Sequence, residues 1–173
     1  SFCKNNGKQL ANFWLHNGMV QMQDSKMSKS LGNIVLIKDL LADMHGEVIR
    51  LALMSSHYRQ PLKWTNDLVK QSKKTLNNMY SFLEKNEDID IVETDINMDM
   101  LFALSDDLNT PKAVSVLHSI FKKLKKDPNN IELRSSFIRS ANFMGLLMIK
   151  PSNWGKKDDD EINKQLIDKL VNE

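Results

Sequence analysis

The sequence predicts a mainly helical protein, and three observations lead there. Glycine and proline number only 6 and 4, turn signals are widely spaced, and apolar residues recur at helical intervals through the second half of the chain. The 173 residues, 41% of them hydrophobic, suffice for one ordinary domain or two small ones with a buried core.

Taken in order, Gly7 to Asn12 reads as a turn and approach. Phe13 to Met22 is apolar, and a run of that length suits either a short strand or a buried helix segment. The reading adopted is a strand from Asn12 to about His16, a turn at Gly18 and a short strand to Gln23, with an ordinary Asn-Gly hairpin as the plain alternative. Ile34-Val35-Leu36-Ile37 suits a short strand or a packed extended segment. Lys38 to Met44 is predicted helical, with Leu40 and Leu41 inward. Gly46 interrupts it and Glu47 opens a second helix, whose Val48, Ile49, Leu51, Ala52, Leu53 and Met54 are too apolar to stay exposed.

Pro61 and the Trp64-Thr65 junction mark a domain boundary. Thr65 suits an N-cap with Asp67 in the first turn, and Leu68, Val69, Leu76, Met79 and Leu83 then form one apolar face. Glu84 to Asp95 reads as an acidic loop. Met98 to Leu104 starts the next helix, offering Met100, Leu101, Phe102 and Leu104 for burial. Thr110-Pro111 signals a helix start, a capping hydroxyl followed by proline at the first position. Val114, Leu117, Ile120, Phe121 and Leu124 are its inward face, and Asn130 caps a last core helix through Ile131, Phe137, Ile138, Ala141, Met144 and Leu147. Helices joined by short loops predict an antiparallel bundle. Lys150 to Asp160 reads as a polar linker and Glu161 to Glu173 as one isolated helix.

The net charge of +2 is unevenly placed. Through Trp64 there are 8 basic against 4 acidic residues, from Thr65 to Met148 there are 11 against 12, and the remainder has 5 against 6. A single cysteine, Cys3, excludes an internal disulfide framework and a CxxC-type metal site, and a reducing compartment is the simplest fit. Cys3 and His16 have no short-spaced partner ligand, so no metal is assigned. No run of about twenty apolar residues occurs, so no membrane association is expected and the cytoplasm is the default location.

The clearest chemistry lies in Lys26-Met27-Ser28-Lys29-Ser30-Leu31-Gly32-Asn33. A turn-like loop can bring Lys26 and Lys29, three apart, to one polyanion, each as a flexible point charge with three donors. Ser28 and Ser30 add hydroxyls, Met27 and Leu31 can anchor the ends, and Gly32-Asn33 tolerates a positive φ. This composition suits a mobile phosphate clamp, although Lys/Ser loops are commonly solvated turns.

Lys26 to Ser30 resembles the Lys-Met-Ser-Lys-Ser (KMSKS) signature of class I aminoacyl-tRNA synthetases. Phe13-Trp14-Leu15-His16-Asn17-Gly18-Met19-Val20, Leu53-Met54-Ser55-Ser56-His57-Tyr58-Arg59 and Ser105-Asp106-Asp107-Leu108-Asn109-Thr110-Pro111 resemble, in the right order, blocks of the cysteine-specific members, the cysteinyl-tRNA synthetase family. The likeness fades after about Ile149. It implies a remnant of a Rossmann-type nucleotide-binding domain carrying the loop, followed by the bundle. The implied division is 1–30 for the end of the catalytic domain, 31–64 for a connecting region that contacts the bend of the tRNA, 65–149 for an anticodon-binding bundle, and 150–173 for a linker and the start of a helix. It also implies catalytic roles for Lys26 and Lys29, with Lys29 the direct ATP contact, and ATP binding by Lys26, Met27, Ser28, Lys29 and Ser30.

The implied reaction joins cysteine to tRNA(Cys) using ATP with Mg. Zinc is implied for the complete enzyme, with no ligand assigned in this chain. The family's His-Ile-Gly-His signature is missing from these residues. The chain therefore resembles a C-terminal fragment, expected to be monomeric and inactive in isolation. The alternatives are another class I synthetase, a cysteine ligase acting on a small molecule, a non-catalytic helical RNA-binding module, or a plain structural bundle.

Further candidates carry two readings each. Arg50 and Arg59 flank the loop and suit either phosphate or local carboxylates. Asp106 and Asp107 suggest capping and turning rather than acid-base work or a metal, since no histidine or third carboxylate accompanies them. Lys122, Lys123, Lys125 and Lys126 either complement a helix C-terminus or meet RNA phosphates. Few exposed aromatic candidates are expected on the bundle, and no anticodon-reading residue is assigned.

Overall fold

A computed structural model of the chain describes residues 11–22, 25–26, 35–86 and 91–155. Among them are six α-helices and one small sheet. Strand β1 (Val20–Met22) lies between β2 (Ser25–Lys26), antiparallel to it, and β3 (Leu62–Trp64), parallel to it. Parallel neighbours need a long crossover, and here α1 (Ile37–Asp43) and α2 (Gly46–Met54) supply it. Residues 26–30 therefore fall inside the crossover connection.

The bundle comprises α3 (Asn66–Glu84), α4 (Met98–Ser105), α5 (Thr110–Lys126) and α6 (Ile131–Phe143). Each begins at a side-chain cap. Thr65 Oγ1 accepts from Leu68 N at 3.1 Å, Asn97 Oδ1 from Met100 N at 3.3 Å, Asn109 Oδ1 from Lys112 N at 3.1 Å and Asn130 Oδ1 from Leu133 N at 2.9 Å. These side chains satisfy amides that no earlier turn can reach.

Two cores result. Tyr80, Phe137, Leu76, Met79, Met100, Leu117 and Leu124 are fully buried in the larger one. Ile49, Ala52 and Trp64 form the smaller, under the sheet, with Val20, Met22, Leu40 and Leu62 against it. Helix α2 serves both: Val48 and Leu51 face the bundle while Ile49 and Ala52 face the sheet. An apolar run too wide for one amphipathic stripe is thereby buried on two sides.

Several sequence expectations are corrected. Residues 12–16 form no strand and Gly18 makes no hairpin: Phe13, Trp14 and Leu15 are exposed, and the Gly18 amide donates to the Tyr58 carbonyl at 2.6 Å. The strand at 20–22 pairs with one about forty residues away, which local alternation cannot reveal. Val35 and Leu36 are not strand, Leu36 being extended but exposed, and Ile37 already begins α1; Ile34 lies outside the described residues. Leu40 packs inward but Leu41 is exposed, as are Leu53 on α2, Met98 and Phe102 on α4 and Ile131 on α6. Asn109, not Thr110, caps α5, because Thr110 is already helical and its hydroxyl instead donates to the Ser56 carbonyl at 3.5 Å.

The stretch read as a linker opens with a 3-10 turn at Pro151–Asn153. It seats Trp154 on Tyr80, with ring centroids 4.1 Å apart, and the Trp154 indole donates to Asn77 Oδ1 at 2.7 Å. The helix expected at Glu161–Glu173 lies outside the described residues, as does part of the acidic loop.

Candidate functional site

Of the loop residues, Lys26 is described as backbone, in β2 opposite Gln21. Met27, Ser28, Lys29 and Ser30 lie outside the described residues. The structure does define what brackets them. The chain enters from the sheet edge at Lys26, and α1, which follows, packs Leu40 on the same small core that holds Val20 and Met22.

Two of the blocks singled out by sequence, 53–59 and 105–111, meet directly. Tyr58 donates its hydroxyl to Asp107 Oδ1 at 2.6 Å, and Arg59 donates Nε to Oδ2 at 2.6 Å and Nη2 to Oδ1 at 3.0 Å. His57 Nε2 stands 3.8 Å from Oδ2, its ring stacked on Tyr58 at 4.9 Å. Hydrogen bonds from Arg59, then from Tyr58, hold the Asp107 carboxyl well below its usual range, at about 2. The same bond to Asp107 is the main reason the Tyr58 phenol is raised. Asp106 does end α4, its amide donating to the Phe102 carbonyl. The reason for setting acid-base partners aside fails for Asp107, however, since a histidine, a tyrosine and an arginine reach it from 48 to 50 positions away. Sequence adjacency could not show this.

Arg59 is thus committed to a carboxylate. Arg50 borders a different feature, a cavity of about 630 Å³ that it lines with Ile37, Leu41, Leu53 and Met148. There its guanidinium lies 3.0 Å from where a side chain on Gly145 would begin, and that glycine sits at φ 70°.

A second polar centre was missed by sequence reasoning. Glu47, buried in the first turn of α2, accepts from the Tyr80 hydroxyl at 2.9 Å, from Leu147 N at 2.8 Å and from Met148 N at 3.0 Å. Burial, then the charge and hydrogen bond of Glu47, pushes the Tyr80 phenol strongly upward. The available signal was an acidic residue opening an otherwise apolar helix, with its partners 33 and about 100 positions away. The satisfied pair anchors the fold and offers no free group for chemistry.

On the bundle, Lys123, Lys125 and Lys126 occupy the last turn of α5, and Lys125 Nζ lies 5.0 Å above the Phe121 ring. Phe102 and Phe143, 63% and 55% exposed, are the few exposed aromatic side chains among the described residues of the bundle. Among the described residues no three His, Cys, Asp or Glu side chains are placed to hold a metal, and no helix is long and apolar enough to cross a membrane.

Comparison with known proteins gives matches in both halves of the chain. Residues 1–74 match the family of class I (C) tRNA synthetase catalytic domains, and residues 102–148 match the DALR domain. The cysteine–tRNA ligase of Maricaulis maris is 39% identical over 175 residues, covering 99% of this chain and 38% of that protein. That of Wolbachia pipientis wMel is 40% identical over 171 residues, covering 95% and 37%. That of Paramagnetospirillum magneticum is 43% identical over 156 residues, covering 87% and 34%. The chain therefore spans rather more than a third of the length of these relatives.

Proposed function

We propose that the chain, which is similar to cysteine–tRNA ligases over 99% of its length and matches the class I (C) tRNA synthetase catalytic domain over residues 1–74, belongs to that family and supplies the phosphate-facing loop and the tRNA-binding bundle of an enzyme that attaches cysteine to tRNA(Cys). The observation that carries this reading is the likeness to cysteine–tRNA ligases over 99% of the chain, through both the loop and the bundle.

In the proposed reaction the cysteine carboxylate attacks the α-phosphorus of ATP, and the bond to the leaving pyrophosphate breaks. Negative charge grows on the departing oxygens. Lys29, aided by Lys26, stabilises that charge as a preorganised cation, the main help a protein can give to phosphoryl chemistry. Met27, Ser28 and Ser30 shape the loop over ATP and its Mg. A ribose hydroxyl of the terminal adenosine of the tRNA then attacks the acyl carbon of the cysteinyl adenylate, forming the ester as the bond to AMP breaks and AMP leaves. The parallel β1–β3 pair with its helical crossover fits a part of a nucleotide-binding domain, in keeping with the catalytic-domain match over residues 1–74.

The bundle at 65–149 serves as the anticodon-binding unit, where the exposed Phe102 and Phe143 offer stacking faces and the lysines of α5 meet phosphates. Residues 150–173 follow, with the 151–155 turn seated on Tyr80. The enzyme acts in the cytoplasm as a monomer. Zinc belongs to the remainder of the enzyme, and no step at the described residues runs through it.

The test is Lys29→Ala in a protein of the relatives' full length. Cysteine-dependent ATP–pyrophosphate exchange should fall by about 100-fold or more, the effect of removing one preorganised charge-stabilising group, while tRNA binding stays close to wild type. Equal losses in both would overturn the assignment.

A further inference from the structure

The turn between α4 and α5 has an unusual backbone. Asp107 and Leu108 both sit at positive φ, 53° and 54°. Two consecutive residues with side chains rarely adopt this conformation, and it persists only where surroundings over-determine it. Burial does not provide that here, because Leu108 is 51% exposed and the Asp107 side chain 46% exposed. Backbone bonds hold the turn itself, Leu108 N donating to the Leu104 carbonyl at 3.1 Å and Asn109 N to the Ala103 carbonyl at 3.2 Å, and three hydrogen bonds from Tyr58 and Arg59 tie its one carboxylate to the segment ahead of β3. An exposed ion pair adds little stability, but a bidentate arginine fixes direction closely.

What these contacts fix is the segment 57–60, and that segment clasps the entry to the sheet. Tyr58 also accepts, on its carbonyl, the Gly18 amide at 2.6 Å, and Leu62 N donates to the Met19 carbonyl at 3.0 Å. A side chain on Gly18 would collide with the Gln60 carbonyl, so the approach is as close as backbone allows. From Met19 the chain runs directly into β1, which pairs with β2 at Lys26. We infer that Asp107 is a positioning residue, the bundle's end of a relay through Tyr58 and Gly18 that sets the placement of the strand pair leading to Lys26. The relay's catalytic consequence rests on the reading of the lysine loop given above; its mechanical part does not.

The experiment is amide hydrogen exchange and limited trypsin digestion of the 173-residue chain, comparing Asp107→Asn with the parent. The Gly18 amide should exchange about tenfold faster and cleavage after Lys26 or Lys29 should accelerate several-fold, as expected for local opening, while the Leu76 and Leu117 amides stay unchanged. Faster exchange confined to 57–60, with Gly18 and the cleavage sites within about twofold of the parent, would overturn the relay. Should Asp107→Asn loosen the whole bundle, Tyr58→Phe removes one of the three bonds and is read the same way.

In a protein of full relative length, the relay predicts that Asp107→Asn lowers kcat for pyrophosphate exchange by about tenfold with KM for cysteine little changed, the mark of misplacement rather than lost binding. If Lys29→Ala proved harmless, the loop's chemical role would fail, while the exchange and digestion results would still decide the relay.

Discussion

Glu47 and Asp107 are two carboxylates that each tie together segments far apart in sequence, and they do so under opposite conditions. Glu47 is 5% exposed and answers three donors, the Tyr80 hydroxyl and the Leu147 amide in buried bonds and the Met148 amide in a partly buried one. The Asp107 side chain is 46% exposed and answers two side chains that solvent could satisfy instead. Removing the first strands buried donors, and each costs the full desolvation of a polar group. Removing the second returns its partners to water. Contact number alone would rank the two as equals, whereas burial makes one an anchor of stability and leaves the other an instrument of geometry.

The largest expected effect follows from the buried member. Glu47→Ala should lower unfolding free energy by about 3 kcal/mol or more in urea titration, since it leaves the Tyr80 hydroxyl and the Leu147 and Met148 amides unanswered. A loss below about 1 kcal/mol would mean that water enters the site, and the contrast would collapse. A smaller effect is expected at the turn that presents the exposed member. Asn109→Ala should cost about 1 kcal/mol through loss of the α5 cap, and Thr110→Ala clearly less. The reverse order would restore the cap to Thr110.

The smallest effect concerns pH. The Asp107 carboxyl is depressed in the folded chain, so its contribution is present above the unfolded carboxylate range and is lost as pH falls from about 4 through its folded value of about 2. The facing groups are Arg59, Tyr58 and His57. Carbon-detected NMR titration should show Asp107 titrating near 2 in the parent and moving back toward the ordinary range in Arg59→Ala. No movement in that variant would assign the depression to something other than the guanidinium.

The helices were legible because their information is local. Thr65, Asn97 and Asn130 stand at helix starts, two of them recognised in advance, and the spacing of Leu76, Met79 and Leu83 places all three in the core. The cap of α5 was misplaced by one residue because Asn and Thr both suit the position, and only the backbone decides which of them enters the helix. Trp154 was read as part of a linker because nothing near it in sequence announces a stacking partner at Tyr80. The likeness of 53–59 and 105–111 to family blocks identified both segments without indicating that they touch.

By itself, then, the sequence determined the helical class, most helix boundaries and the likeness to cysteine–tRNA ligases, since periodicity, capping chemistry and motif order are properties of neighbouring residues. The tertiary structure alone decided that Val20–Met22 pairs with Leu62–Trp64, that Glu47 is an interior anchor, and that Asp107 meets Tyr58 and Arg59. Those outcomes depend on which distant groups can satisfy a buried or constrained polar atom at the same time as the two cores close.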